Sequence, residues 1–374
     1  LKNPIYIHDA ALISPLGENG FSSAQSFFCT QKGTPVGRLD ATTEAEIRSL
    51  QAENSQYQKL DRSTLLAILA ARKLQLDTKD VAINIGSSRG ATAIWEDFHE
   101  EFIKTGTVPV QTSPLTTLGN VSSWVAQDLG TEATAFSHSI TCATAAHSLL
   151  NAIAWLESGM VTTFIAGGTE APLTDFTIAQ MKALRIYSHE SDSFKCRALD
   201  LEKKANTMIL GEAAACFVLS KKPSSNAIRI SGYGTAIESL QSATSMSSEG
   251  LGFQKSMKAA IGDASNDSID AIITHAPGTI LGDSSEVHAI QAVFGKKHPR
   301  LCNNKWQIGH SLGASAAVNL YMAMDVLTHH QFKSIPYLRP EFVNPRGSTA
   351  VPKKILINAS GFGGNCVSIL VEKD

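Results

Sequence analysis

A cysteine, two histidines and a glycine-rich bend are the parts of this chain whose types and settings suit chemistry. Cys142 stands in SITCATAAHSLLNAIAWLESGMVTTFIAGG, residues 139–168. A polar, β-branched lead-in ends at the cysteine. Apolar residues three and four apart follow, among them Ala145, Ala146, Leu149, Ile153 and Leu156. Their spacing predicts a helix buried on most sides. Gly159 stops it, and Val161–Ala166 reads as a short buried strand. Cys142 is thereby placed at a helix N-terminus, where unpaired N–H groups and the helix dipole stabilise negative charge. The thiolate is the nucleophilic form of cysteine, so this setting makes it more nucleophile-ready. The plainer alternative is a buried structural cysteine.

Three other segments hold more polar and glycine residues than a core requires. IDAIITHAPGTILGDSSE (269–286) ends a buried strand at His275, ahead of a glycine-bearing loop. NNKWQIGHSLGA (303–314) places His310 between glycines at the start of a small-residue helix. NASGFGGN (358–365) is a glycine turn with one aromatic residue between two strands. Each has a bland reading as a satisfied polar residue or a flexible loop. The last lacks the Gly-Lys-Ser/Thr of a phosphate-binding loop, and Gly309-x-x-x-Gly313 is no dinucleotide fingerprint. Together with Cys142 they make one proposal: a cysteine nucleophile, two histidines and a backbone oxyanion hole.

The elements that must position these groups alternate along the chain. Strands are expected over Pro4–Ile13, Val81–Ile85, Ala213–Ser220, Ala227–Tyr233, Ile269–Thr274, Lys354–Asn358 and Cys366–Val371. Helices are expected over Gly20–Gln31, Ser63–Leu74, residues 91–104, Leu118–Leu129, Thr177–Leu184, Gly250–Gly262, Ser284–Phe294 and Ser315–Leu327. Residues 33–60 read as surface loop with a short helix, and Gly167-Gly168-Thr169-Glu170 as a tight turn. The class is α/β with layered sheets. A coarse duplication is expected, with the first half over 1–235 carrying the nucleophile and the second over 236–374 carrying the histidines. No Pro/Ser-rich linker separates them, so one intimate unit follows.

Composition narrows the function. Across 374 residues, 43% are hydrophobic and 18% charged, which supports a sizeable core. A formal net charge of −2 argues against a nucleic-acid binder held by phosphate contacts. The six cysteines at 29, 142, 196, 216, 302 and 366 form no C-x-x-C pair or zinc spacing, so no metal is expected. Reduced thiols in a cytoplasmic enzyme fit best. No apolar run of ~18 residues predicts a membrane span. The opening LKNPIYIHDAALISPLG lacks the basic-then-apolar pattern of a secretory signal, so none is expected.

From Ile5 to Val371 the chain resembles a β-ketoacyl-acyl carrier protein synthase, a condensing enzyme of the thiolase superfamily. ITCATAAHS resembles the family's T-A-C-A-T nucleophile motif, with Ile140-Thr141 in place of T-A. Ala166-Gly167-Gly168-Thr169-Glu170 matches A-G-G-x-E. Arg197-Ala198-Leu199-Asp200 resembles R-P-F-D, and Leu210-Gly211-Glu212 the start of L-G-E-G. Lys305 and His310 match K-x-x-x-G-H-x-x-G-A, the most specific of the set. Gly361-Phe362-Gly363-Gly364 matches the C-terminal glycine loop, whose aromatic residue gates the site. His275 falls on the first family histidine, with Gly282, Asp283 and Glu286 at family spacing. The usual H-G-T is absent: Ala276 and Pro277 follow, and a two-residue shift would instead set Pro277 at the histidine position. Between Asp200 and Gly211 the chain is two residues longer than the common pattern, and the R-D-G-F run is missing.

The resemblance implies a duplicated thiolase-like fold, a layered α-β-α-β-α sandwich. It implies decarboxylative condensation of malonyl-carrier protein with an acyl group held on Cys142, in fatty acid, polyketide or aryl polyene synthesis. Cys142 and Phe362 N–H groups would form the oxyanion hole. His275 and His310, both neutral, would hold the thioester oxygen of the enolate, and Lys305 would fix His310 or the local charge. Asp283 and Glu286 would be structural. Arg89, Gly361 and Gly363 would line the substrate pocket. Arg89 stands where the family usually has an apolar residue, which argues against a long, straight fatty chain; a carboxylate across a subunit interface is its other candidate partner. The implied partners are acyl carrier protein, bearing substrates on phosphopantetheine, and a second subunit, as a homodimer or a heterodimer with a ketosynthase-like paralogue. No other cofactor is implied. The alternatives are a chain-length-factor-like subunit shaping a partner's pocket, a degradative thiolase using Cys366 as base, and a non-catalytic scaffold.

Overall fold

The computed structural model describes the chain except residues 1–2, 18–19, 22–26, 77–78, 119, 191–192, 225–226, 240–245 and 374. The first part runs β1 (Ile5–Ile13), β2 (Phe28–Cys29), β3 (Pro35–Val36), α1 (Ala41–Glu53), α2 (Arg62–Arg72), β4 (Ala82–Gly86), α3 (Thr92–Thr105), α4 (Thr112–Thr116), α5 (Asn120–Leu129), β5 (Ala135–Phe136), α6 (Thr144–Ser158), β6 (Thr163–Glu170), α7 (Asp175–Ala183) and β7 (Ala213–Ser220). The second runs β8 (Ile228–Ile237), α8 (Leu251–Ile261), β9 (Ala271–Ile273), α9 (Ile280–Phe294), β10 (Arg300–Cys302), α10 (Lys305–Ile308), α11 (Ser315–His329), α12 (Pro340–Val343), β11 (Lys354–Gly361) and β12 (Asn365–Glu372).

Ten strands hydrogen-bond in the order β10-β9-β11-β12-β8-β1-β7-β6-β4-β5. Ranked by chain order within each five, both halves read third, second, fourth, fifth, first. This is the expected duplication, and by strand order the second copy opens with β8. The copies meet edge to edge, where β1 pairs antiparallel with β8 over Ile5–Ile7.

Alternation along the strands separates the layers, because successive side chains point to opposite faces. On β7, Ala215, Phe217 and Leu219 join a central core with the inner faces of α6 and α11, while Ala214, Cys216 and Val218 face outward to α2 and α5. On β11, Ile355, Ile357 and Ala359 join the same central core, and Leu356 faces α8 and α9. The result is helix, sheet, helix, sheet, helix, a five-layered α/β sandwich. The two central helices begin in alanine because a sheet presses on either side. Leu149, Ile153 and Leu156 of α6 are buried, each contributing about 1.5–3 kcal/mol. Leu156→Ala would cost ~2–5 kcal/mol.

Several local expectations are corrected. Gly167 and Gly168 do not turn the chain; they lie within β6. A Cβ on Gly167 would stand 2.2 Å from the Ala215 carbonyl oxygen, and one on Gly168 2.7 Å from Ala145 Cβ. The glycines serve close packing rather than reversal. The helix expected over Gly20–Gln31 is not formed at its end, where Phe28–Cys29 pairs with Pro35–Val36; residues 22–26 lie outside the described residues. Within 33–60, α1 is 13 residues long, capped by Asp40 accepting from Thr43 N at 2.8 Å.

Candidate active site

Cys142 sits where a strained turn feeds α6. Thr141 has φ +47°, a left-handed conformation rare for a β-branched residue. Three bonds hold it. Thr144 Oγ1 donates to the Thr141 carbonyl at 2.6 Å, Ala143 N to the Ile140 carbonyl at 3.1 Å, and Thr141 Oγ1 to the Phe362 carbonyl at 3.0 Å. The last bond brings the bend between β11 and β12 onto the cysteine turn. Gly361 packs so closely there that a Cβ would lie 2.1 Å from Thr141 Oγ1 and 3.0 Å from Cys142 N. Gly363 and Gly364 have φ +90° and +75°, which only glycine adopts without cost in this hairpin.

The two histidines come from the second half. His275 follows β9, and His310 follows α10 after Gly309, whose φ is +80°. Their rings meet edge to face, 5.3 Å between centroids at 83°. His275 and Pro277, the two candidates for the first histidine position, both line the same cavity, and it is His275 whose ring meets His310. Both rings are buried, and the Nδ1 atom of each lacks a hydrogen-bond partner. Burial first, then the Lys305 charge, holds both pKa values well below 6.5, with His310 itself adding to the effect on His275. At neutral pH they are uncharged imidazoles, as expected.

Lys305 lies behind them, 1% exposed, its Nζ without a hydrogen-bond partner. Burial pulls its pKa down to about 8, against the attraction of Glu286 and Cys142. Glu286 accepts from His275 N (2.9 Å), Ala276 N (2.7 Å) and Asn358 Nδ2 (2.9 Å). It therefore fixes the backbone that carries His275. Asp283 accepts from Leu199 N and Gly278 N, both at 2.9 Å, and from Lys203 Nζ at 2.8 Å in a buried ion pair.

Cys142 departs from expectation in one respect. Its thiol is pushed up to about 12, by burial above all and then by the Glu170 charge; Lys305 and the residue's own N–H pull the other way. Burial therefore favours the thiol at rest, and its proton must be lost during attack.

Cys142, His275, His310, Gly361, Phe362 and Arg89 line one cavity of about 510 Å³. Gly363 is not among its lining residues, whereas its neighbour Gly364 is. Phe362 is 41% exposed at the mouth. Cys366 is buried on β12 beside Ser360 Oγ at 3.6 Å, outside the cavity wall, which removes the geometry of a second catalytic cysteine.

A scaffold beneath the site was missed as function in the sequence. Glu170 Oε1 accepts from Ser87 Oγ (2.8 Å) and Arg89 N (3.2 Å), and Oε2 from Ser88 N and Gly313 N (both 2.8 Å). It clamps the loop after β4 to the loop after His310. Asn319 Nδ2 donates to the Thr274 and Asn358 carbonyls at 3.2 and 3.3 Å, tying β9 to β11. A lone asparagine in an otherwise apolar helix is the signal that could have found it, since buried amides are bonded.

Residues 37–224 match the N-terminal domain of β-ketoacyl synthase, and residues 228–336 its C-terminal domain. The chain belongs to the β-ketoacyl synthase family. Its enzyme class is accordingly that of the 3-oxoacyl-[acyl-carrier-protein] synthases. Among relatives, the 3-oxoacyl-[acyl-carrier-protein] synthase 2 of Staphylococcus aureus (strain N315) is 27% identical over 86% of this chain and 84% of its own. The Coxiella burnetii enzyme of the same name is 25% identical over 100% and 99%. Among solved structures, a β-ketoacyl synthase from Burkholderia phymatum superposes with TM-score 0.81 at 17% identity, covering 100% of both chains. A Xenorhabdus doucetiae ketosynthase in complex with its chain length factor superposes with TM-score 0.79 at 20% identity, over 100% of this chain and 98% of that one.

Proposed function

We propose that this chain extends an acyl group on Cys142 by two carbons, using malonyl-acyl carrier protein. The observation that carries the reading is the convergence of Cys142, a neutral histidine pair and the Gly361–Phe362 bend on one cavity. Cys142 Sγ attacks an acyl thioester; the sulfur–carbon bond to the carrier breaks, and the thiol proton ends on the released phosphopantetheine sulfur. The N–H groups of Cys142 and Phe362 hold the oxyanion, each such donor being worth ~2.7–4 kcal/mol. Malonyl thioester then loses carbon dioxide, and the electron pair passes to an enolate held by His275 and His310. Neutral rings donate hydrogen bonds there without a fixed cation. The enolate carbon attacks acyl-Cys142, and the sulfur leaves and recovers a proton. Substrates ride on phosphopantetheine, and the reading needs no other cofactor.

A second subunit belongs to the proposal. Helix α3 has no buried residue and exposes Trp95, Phe102 and Ile103, an apolar face suited to a homodimer or a paralogous partner. Among the described residues no helix is long and apolar enough to cross a membrane. A cytoplasmic location is part of this reading, supported by six cysteines that are all free.

The test is a split between two half-reactions. Cys142→Ala loses both acylation and condensation. His310→Ala still acylates Cys142, seen as an intact-mass shift, but forms no 3-oxoacyl product. Normal elongation by either variant overturns the assignment. A wild-type chain that decarboxylates malonyl-carrier protein but never acylates would instead be a pocket-shaping subunit.

A further inference from the structure

Arg89 is a cation set in an apolar wall. The cavity it lines also includes the apolar side chains Met181, Leu184, Ile186, Met208 and Leu312. Its Nη2 donates to Gln180 Oε1 at 2.6 Å, while Nε is buried without a partner. No ion pair to Arg89 is found among the described residues. Of the carboxylates at the site, Glu170 spends its contacts on Ser87 Oγ and on the N–H groups of Ser88, Arg89 and Gly313, and Glu238, which lines the same cavity, accepts from Ser247 N; neither is bonded to the guanidinium. The loop carrying Arg89 is fixed further by Ser139 Oγ donating to the Ser88 carbonyl at 3.0 Å. A half-buried guanidinium that lines a cavity with no carboxylate partner is open to an acceptor that a ligand supplies.

Building on the condensation reading, we propose that Arg89 is a specificity residue for an acyl group that ends in a carboxylate. Cys142 and Arg89 line the same cavity. A short diacid monothioester, attached through its activated end, would leave its free carboxylate to meet the fork. Charge-assisted, planar pairing of this kind discriminates against a methyl end, which offers the guanidinium no acceptor. Acylation itself is unchanged in its balance: the Cys142 Sγ–carbon bond forms, the carrier's sulfur–carbon bond breaks, and the carrier sulfur takes the thiol proton. The distal carboxylate takes no part in that exchange.

The experiment offers the 374-residue chain acetyl-, hexanoyl-, succinyl- and glutaryl-carrier protein and times acylation of Cys142 by intact mass. Wild type is expected to take a carboxylate-ended chain roughly tenfold or more faster than a methyl-ended one. Arg89→Met should invert that order, and Arg89→Lys should restore part of it, an effect that a merely structural Arg89–Gln180 bond would not produce. Equal or faster use of hexanoyl by wild type overturns the proposal, as does a preference that survives Arg89→Met. Acylation by the methyl-ended chains alone leaves the condensing-enzyme reading standing while this one falls. Absence of acylation by all four, with Cys142 intact, overturns both.

Discussion

The Thr141 hydroxyl donates to the Phe362 carbonyl oxygen across 3.0 Å, joining the cysteine turn of the first half to the glycine bend of the second. The bond fixes one wall of the cavity against the other. It also explains why the residue before the bend's aromatic side chain has no side chain of its own.

Gly361→Ala is expected to disrupt this junction. The new methyl would stand 2.1 Å from Thr141 Oγ1, a distance no packed atoms keep. Overpacking of this kind costs ~1–3 kcal/mol, and misplacing the oxyanion donors should slow acylation by more than about tenfold. Full activity with unchanged denaturant stability would show that the bend does not set the donors.

The proton on Cys142 gives a second test. Because burial and Glu170 push the thiol up to about 12, the thiolate fraction is small at neutral pH and grows about tenfold per pH unit. Peptide-resolved iodoacetamide labelling of Cys142 should therefore climb steadily from pH 6 to pH 9 with no plateau. A plateau near pH 7 would mean that the helix terminus and Lys305 dominate.

Glu170 links the site to pH. Burial raises its carboxyl to about 7 from 4.5 in the folded chain. The folded state thus favours the protonated form, so this group's stabilisation is complete below about 4.5 and is lost as pH rises to about 7. At about 1.4 kcal/mol per pKa unit the loss is up to ~3 kcal/mol. The stability of wild type relative to Glu170→Gln should fall by that order between pH 4.5 and 7.5, measured by urea unfolding. A difference that stays flat or rises would refute the raised pKa.

The buried pair Lys203–Asp283 supports the His275 loop through Gly278 N. Lys203→Met leaves Asp283 with its backbone donors but no counter-charge. Breaking such a pair typically costs ~3–5 kcal/mol. A loss below about 1 kcal/mol in chemical denaturation would mean that the two N–H groups suffice.

The sequence was most legible where one local pattern dominates. The short buried runs of β7 and β11 and the three-four spacing of α6 and α11 carry their own geometry, and their bounds shift by only a few residues. It was least legible where tertiary packing decides. Helix α1 buries only Thr43, Ile47 and Leu50, too few apolar positions to announce 13 helical residues. Strands β5 and β10 are two and three residues long and exist by pairing with neighbours. Gly167 and Gly168 looked like a reversal because the backbones pressing on them come from residues far along the chain. The site was read through Cys142, His275, His310 and the bend. The amides and the Glu170 clamp beneath it were not, since most of their partners are backbone groups that no side-chain pattern marks.

The repeated strand order has a consequence for how this molecule can change. The sulfur belongs to one copy of the repeat and both imidazoles to the other, and the copies are joined in one sheet by the pairing of β1 with β8. Neither copy holds a complete set of reactive groups, so any mutation that loosens the seam between them weakens chemistry and architecture together. The loop bearing Arg89 shares in this dependence, because Glu170 accepts from both Arg89 N and Gly313 N and so ties it to the histidine half.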